Sequence, residues 1–344
     1  MENFLKQPSK EDLRQLASQI ISMDKTCIKI SYTLDDLIFA FLLFKLGKLT
    51  AISFTSDDCE IKLTTEASGR FIEMGEKQNF IGANSYTSII PASIDDTLPI
   101  LAGITSRSVL ERRKYTDVEL EILNDLTKFG VILEKNLKIP NYKNLPLFFS
   151  LLLSFDPYIP DISGNRENAV KALKEINIAE TDRLDEIEEA KLNSLIYKII
   201  SNILKINPKI TRDDIIADRA FYLEYDSLEL TFALIYFLDL KGVGDIFQFV
   251  MTPNYAETLI AKFREEVGKG FYINNVNETR NYYLVETNLK SPTLVQLILL
   301  QTGKIKKNKP VYVKTEDGIY TSRIQVNNLK EGLNKIENLD KNNI

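Results

Sequence analysis

The sequence predicts an α/β protein made of an N-terminal parallel-sheet domain, a helical connector and a smaller C-terminal α/β domain. Three observations carry this reading. The run Cys27 to Leu46 (CIKISYTLDDLIFAFLLFKL) passes from a β-branched strand through a polar turn into a long apolar helix, the first βα unit of an open parallel sheet. From Thr116 to Leu204 the apolar residues recur at helical spacing. Beyond Phe221, strand-like runs rich in tyrosine alternate with apolar helices. The corresponding segments are 1–150, 151–215 and 216–340.

Taken in order, Pro8 to Ser22 reads as a leading helix, with Ser9 and Asp12 at capping-box spacing. Cys27, Ile28 and Ile30 form the first strand, Thr33 to Asp36 a turn and cap in which Asp36 caps a helix starting at Leu37. Thr50 to Thr55 reads as a second strand, Ile61 to Thr65 as an exposed-edge strand, and Arg70 to Met74 as another ending at Gly75. Phe80-Ile81 and Pro99 to Ile104 (PILAGI) complete a set of short apolar segments, each stopping at a small or polar turn. Successive parallel strands delivering loops to one edge have this appearance.

Thr116 to Lys135 (DVELEILNDLTKFGVILEK after the threonine) and Leu145 to Leu153 read as helices. Asp156-Pro157 and Ile159-Pro160 forbid helix, Ser163-Gly164-Asn165 make a turn and cap, and Arg166 to Ile176 resumes helix. Asp182 to Leu204 reads as one amphipathic helix with an acidic start, and this helical region is expected to connect the domains. Phe221 to Tyr225 is strand-like, and Ser227 to Leu240 is a helix broken at Gly242-Val243-Gly244. Phe271 to Val276 and Asn281 to Glu286 are strands, Thr293 to Gln301 a helix. Lys309 to Lys314 and Ile319 to Val326 flank the Asp317-Gly318 hairpin turn, and the tail after Asn334 reads as frayed.

Composition narrows the chemistry. The 344 residues contain no histidine, which excludes Ser-His-Asp and Cys-His catalysis and leaves only carboxylates for any metal, hence hard ions. Cys27 and Cys59 are the two cysteines, too few for a disulfide framework or a CxxC metal site, and Cys27 is expected as a free, buried strand residue. A net charge of -5 argues against coating duplex DNA by charge alone. Apolar runs such as Leu37 to Leu46 are too short to cross a bilayer, and the N-terminus lacks a signal-peptide pattern, so a cytoplasmic, nucleoid-associated protein with no membrane partner is expected. Gly242-Val243-Gly244 follows a helix and is too short for a dinucleotide fingerprint. Asp57, Asp58 and Glu60 form an acidic surface turn, and Lys304, Lys306, Lys307 and Lys309 form a basic loop beside the tyrosine-rich strands. That loop reads equally as a phosphate-tracking surface or a solvated one.

The order of these segments resembles the RecJ-like branch of the DHH phosphoesterase family over nearly the whole chain. The family's first motif is Ser-His-x-Asp-x-Asp-Gly after a strand. Here Ser31 aligns, the histidine falls on Tyr32, the first aspartate on Leu34 and the glycine on Leu37, while Asp36 keeps its carboxylate. Glu73 of FIEMG stands at the second-motif aspartate, Gly82, Ala83 and Asn84 at Asp-His-His, and Ser106, just before Arg107, near the fourth-motif aspartate. DPYIPDISGNRENAVKALKEINI resembles the archaeal RecJ-like connector. YYLVETNLKSPTLVQLILLQ and KPVYVKTEDGIYTSRI resemble the DHH-associated C-terminal domain, with Arg323 at its phosphate-contacting arginine; the closing Gly-Gly-Gly-His segment has no counterpart up to Ile344.

A two-metal phosphodiesterase needs several ligands converging on ions about 3.5 to 4 Å apart. Asp36, Glu73 and an improvised Asp35 are what remain, and Leu34 puts apolar bulk where a ligand carboxylate belongs. The resemblance therefore implies a pseudoenzyme without metal or other cofactor. Its nearest class is the noncatalytic, RecJ-related cell-division-control subunit of the CMG replicative helicase, whose partners are GINS and MCM. On this reading Arg323, Lys304, Lys306 and Lys307 guide single-stranded DNA. The competing readings are a residual manganese-dependent exonuclease or phosphoesterase using Asp35, Asp36 and Glu73, and a stand-alone single-strand-binding protein.

Overall fold

The computed structural model describes residues 6–337. In chain order the elements begin with α1 (Lys10–Ser22), β1 (Thr26–Lys29), α2 (Leu34–Lys45), β2 (Leu49–Ser53), β3 (Ile61–Glu66), β4 (Gly69–Met74), β5 (Lys77–Gly82), α3 (Thr97–Glu111) and α4 (Asp117–Leu126). They continue with β6 (Val131–Leu137), α5 (Leu147–Leu152), α6 (Arg166–Lys174), α7 (Glu189–Leu204), α8 (Arg212–Ile215), β7 (Ile216–Tyr222), β8 (Tyr225–Asp226), α9 (Ser227–Lys241), α10 (Gly244–Met251) and α11 (Tyr255–Val267). The last are β9 (Ile273–Glu278), β10 (Tyr283–Thr287), α12 (Pro292–Gln301), β11 (Val311–Thr315), β12 (Gly318–Ser322) and β13 (Leu333–Lys335). The chain divides into two compact units: 1–133 with 220–223 and 243–256, and 134–219 with 224–242 and 257–344. Residues 151–215 thus lie within the second unit.

The first unit holds a five-stranded sheet in the order β2-β1-β3-β4-β5. β1 runs parallel to β2 and β3, whereas β3, β4 and β5 are successively antiparallel. The expectation of parallel strands throughout is corrected here. Glu66 pairs with Gly69 and Met74 with Lys77, and a connection of two residues can close only a hairpin. β3 is also an interior strand, not an edge: its alternation of buried Ile61 and Leu63 with half-exposed Lys62 and Thr64 reflects one open sheet face. Residues Leu34 to Leu43 of α2 are all buried, and the helix packs against α3 and α10. α1 starts at Ser9 with the reciprocal Ser9–Asp12 capping box.

PILAGI is helix, not strand. It forms the first half of α3, in which every residue from Thr97 to Val109 is buried, so no polar face marks the helical period. Pro99 sits in the first turn, where its missing N–H has no partner to lose. Gly103 lets the helix approach Thr87, whose Oγ1 lies 2.1 Å from where a Cβ would stand. Conversely VILEK is strand. A left-handed Gly130 (φ 99) ends the helical segment, and β-branched Val131 and Ile132 extend into β6. Cys27 is not free: it forms a disulfide with Cys59, the two Cα atoms 4.9 Å apart. The pairing depends on the parallel β1–β3 contact, which spacing along the chain does not reveal.

In the second unit the sheet order is β13-β12-β11-β10-β9, with β10 parallel to β11 and the other pairs antiparallel. The expected hairpin turn at Glu316-Asp317 joins β11 to β12 through Thr315 and Gly318. Buried Asp239 of α9 ties helices to sheet: it accepts from the Ser291 and Ser322 hydroxyls and, at 2.9 Å each, from the Thr293 N–H and hydroxyl. Asp182 to Leu204 is not one helix. A 3-10 turn at Leu184–Glu186 precedes an extended Ile187, and α7 starts only at Glu189. β13 pairs with β12 through Lys335, the first residue of the tail expected to fray; residues 338–344 of that tail lie outside the described residues.

Candidate functional site

The site begins where β1 ends. Ser31 is exposed, Tyr32 and Leu34 are buried at 6% and 1% exposure, and Thr33, in an extended conformation, caps α2 by accepting from the Asp36 N–H. The helix therefore starts at Leu34, one turn earlier than Leu37, and Asp36 is its third residue, not its cap. The Asp36 carboxylate reaches back over the turn, accepting from the Ser31 N–H at 3.1 Å and the Thr33 hydroxyl at 2.6 Å. Tyr32 packs against Phe54 with ring centres 5.4 Å apart.

Asp35 is fully buried and turned the other way. One oxygen accepts from the Tyr86 N–H at 2.8 Å, the other from the Thr87 N–H at 3.1 Å and the Thr87 hydroxyl. It thus holds the start of the 3-10 turn Tyr86–Ile89. Burial pushes the Asp35 carboxyl above its ordinary value. Burial, and then the neighbouring Asp35, push Asp36 up to about 6 against the pull of Arg107.

Arginines gather where the DHH motifs would place ligands. Gly82 turns the chain at φ +65, where a Cβ would meet Gln7 Oε1 at 2.1 Å. The carbonyls of Ala83 and Asn84 accept from Arg70 at 2.8 and 2.7 Å, and that of Ala83 also from Arg113 at 2.9 Å. The Asn84 side chain donates to Ile81 O at 2.8 Å and accepts from the Thr116 hydroxyl. Glu111 at the end of α3 pairs with Arg70, with Arg107 at 2.9 Å and with Arg113 at 3.1 Å. Although burial opposes it, these three guanidinium groups hold the Glu111 carboxyl below its ordinary value. Fully buried Glu119 accepts from Arg113 at 2.7 and 2.8 Å and from the Ser85 N–H at 2.8 Å.

Four carboxyls (Asp35, Asp36, Glu111 and Glu119) thus lie in the field of three guanidinium groups. Fixed side-chain cations supply the compensation that a metal pair supplies in a two-metal site. Each of these eight carboxylate oxygens already accepts a hydrogen bond or ion pair. Among the described residues no group of three or more histidine, cysteine, aspartate or glutamate side chains is placed to hold a metal ion. The donor set does not fit the metal pair that the resemblance brings to mind.

The remaining expected positions are scattered. Glu73, the penultimate residue of β4, is half-buried, accepting from the Thr64 hydroxyl at 3.2 Å and standing across from Lys62 and Gln78. Ser106 is buried within α3 and donates to Gly103 O at 2.8 Å. Arg70, Arg107, Glu111, Arg113 and Glu119 were not picked out as a set from the sequence. An arginine beside Phe71 and Ile72 in a buried strand was the available signal, because a buried guanidinium requires acceptors.

In the second unit the expected basic residues fall at loops and strand ends of the C-terminal sheet, with carboxylates among them. β10 and β11 begin, and β12 ends, at one end of the sheet. Arg323 just past β12 and the loop before β11 therefore share that end. Lys304, Lys306 and Lys307 are exposed. Lys309 pairs with Glu278 at 2.5 Å and lies 5.5 Å over the Tyr283 ring, while Tyr282 stacks on Tyr312 at 4.5 Å. Arg323 is half-buried, 3.9 Å from Glu331.

A sheet with parallel and antiparallel pairs, with arginines gathered at the turn after β5, is followed by a second, C-terminal sheet. The archaeal Cdc45 family model matches residues 1–339, and the chain belongs to that family. The family is replication-related and consists in general of noncatalytic RecJ relatives. No curated protein matches the sequence. The fold is similar to the crystal structure of CDC45 from Entamoeba histolytica, with a TM-score of 0.56 and 10% identity, covering 93% of this chain and 90% of that one. Among the described residues no helix is long and apolar enough to cross a membrane.

Proposed function

We propose that this chain is a noncatalytic DNA replication factor. It is a RecJ-like scaffold that binds the GINS complex and the MCM helicase, stabilises the active helicase, and guides single-stranded DNA along the basic end of its C-terminal sheet. It works in the cytoplasm at the nucleoid. The observation that carries the noncatalytic part is that Asp35, Asp36, Glu111 and Glu119 spend all their carboxylate oxygens on protein donors. A metal would have to displace buried hydrogen bonds and approach three guanidinium groups, which electrostatics opposes. Tyr32, Leu34, Asp36, Glu73, Gly82, Ala83, Asn84 and Ser106 are then vestigial positions of a lost ligand set. Segments 1–150, 151–215 and 216–340 descend from the DHH module, its connector and the DHH-associated module.

Family membership supports the helicase partners, and the exposed Lys304, Lys306 and Lys307 in the loop before β11 support the DNA path. Copurification and analytical ultracentrifugation with GINS and with MCM test the scaffold. A stable complex at micromolar concentration is expected, and none at that concentration defeats the proposal. Degradation of a labelled single strand with manganese, abolished by Asp36→Ala, would restore the enzymatic reading.

A further inference from the structure

Cys27 and Cys59 are the sole cysteines of the chain, and the fold joins them. Cys27 lies in β1; Cys59 immediately precedes β3, which pairs with β1 from Ile28 and Ile61 onward. The bond spans a sequence separation of 32, so the closed loop contains the Ser31–Asp36 turn, α2 and β2. It also anchors the arm between β2 and β3, which carries Asp57, Asp58 and Glu60; Asp57 folds back onto Lys29 of β1.

The two sulfurs have unequal surroundings. Cys59 is 4% exposed, whereas Cys27 is half-buried on the open sheet face, two residues from Lys29, which is in register with Lys62 of β3. Cys27 is therefore the sulfur that an incoming thiolate can reach, and Lys62 lies on the face from which it approaches.

We propose that Cys27–Cys59 is a redox-responsive clasp on the Ser31–Asp36 turn. When closed it fixes the acidic arm against β1; when open it frees the arm while the sheet stays folded. Opening is thiol–disulfide exchange with a glutathione-class thiol. One glutathione thiolate attacks the more accessible Cys27 Sγ and Cys59 leaves as a thiolate. A second glutathione then attacks the mixed disulfide, releasing Cys27. Two electrons and two protons pass to the protein, and the two glutathiones leave as their disulfide.

The test treats the folded chain with graded ratios of reduced to oxidised glutathione. It counts thiols by alkylation and mass spectrometry without unfolding, and follows thermal melting and hydrogen exchange of residues 31–36 and 54–60. The oxidised protein should offer no alkylatable thiol. Reduced glutathione should open the bond natively, lower Tm by roughly 5 to 10 °C and speed exchange in both segments. Cys27→Ser should melt with the reduced wild type and ignore glutathione. Lys62→Glu keeps both cysteines and puts a carboxylate on the face from which anionic glutathione approaches Cys27, so it should open several-fold more slowly, which keeps the idea testable if Cys27→Ser does not fold. Two free thiols after oxidation, a bond that glutathione opens only after unfolding, or an opened bond with unchanged Tm and exchange would each overturn the proposal.

Discussion

Replacing Asp36 with asparagine should make the protein more stable at neutral pH. Asp36 is 3% exposed and its carboxyl is pushed up from 3.8 to about 6, first by burial and then by Asp35. A folded-state value above the unfolded one means the native state holds the proton more tightly. The favourable contribution is therefore fully present below about pH 4 and is lost as pH rises through about 6. At about 1.4 kcal/mol per unit, the two-unit displacement makes the ionised carboxylate cost about 3 kcal/mol at pH 7.5. In Asp36→Asn the amide oxygen still accepts from the Ser31 N–H, and the amide NH2 can donate to the Thr33 hydroxyl in place of accepting from it. The variant should match the parent near pH 3.5 and exceed it by up to about 3 kcal/mol at pH 7.5, raising Tm on the order of 5 °C. Urea and thermal unfolding at the two pH values measure this. Parallel pH profiles, or equal destabilisation at both, would refute the reasoning. An Asp36 carboxyl that titrates near 3 once manganese is added would show it to be a metal ligand.

The other predictions probe the rest of the network. Asp35→Ala strands the Tyr86 and Thr87 donors in a fully buried place and should cost about 3 kcal/mol or more, read by urea unfolding. Arg70→Met removes the donor to Ala83 and Asn84 and leaves Glu111 less compensated; a loss of about 3 to 5 kcal/mol is expected, with an unchanged midpoint contradicting the role given to the arginines. Gly103→Ala drives a methyl into Thr87 and should cost about 1 to 3 kcal/mol, which Thr87→Ser does not relieve unless the clash is with the Thr87 methyl. Charge reversal of Lys304, Lys306 and Lys307 together should weaken single-strand binding and reduce its salt dependence by about two counterions or more; fluorescence anisotropy across a salt series decides it.

Much of the fold was legible because it is written in local chemistry. Ser9 and Asp12 announce a capping box, Asn165 caps α6, and the Cys27 to Leu46 pattern yields a strand, a turn and a buried helix. The hairpins at Glu66–Gly69 and Met74–Lys77 were also local, and their two-residue turns outweigh the impression of parallel strands. PILAGI was not legible, since a helix buried on all sides shows no period and its apolar run fits either state.

For the site, the sequence by itself determined what is missing. With no histidine anywhere, no imidazole ligand or base can form, and this follows from residue identity alone. Which donors the carboxyls of Asp35, Asp36, Glu111 and Glu119 meet was decided only by the tertiary structure. Arg70 meets Glu111 across 41 residues, Tyr86 meets Asp35 across 51, and Cys27 meets Cys59 across 32. Helical and strand periods, caps and turns act over a few residues, whereas charge compensation and covalent pairing depend on which distant strands and helices the topology brings together.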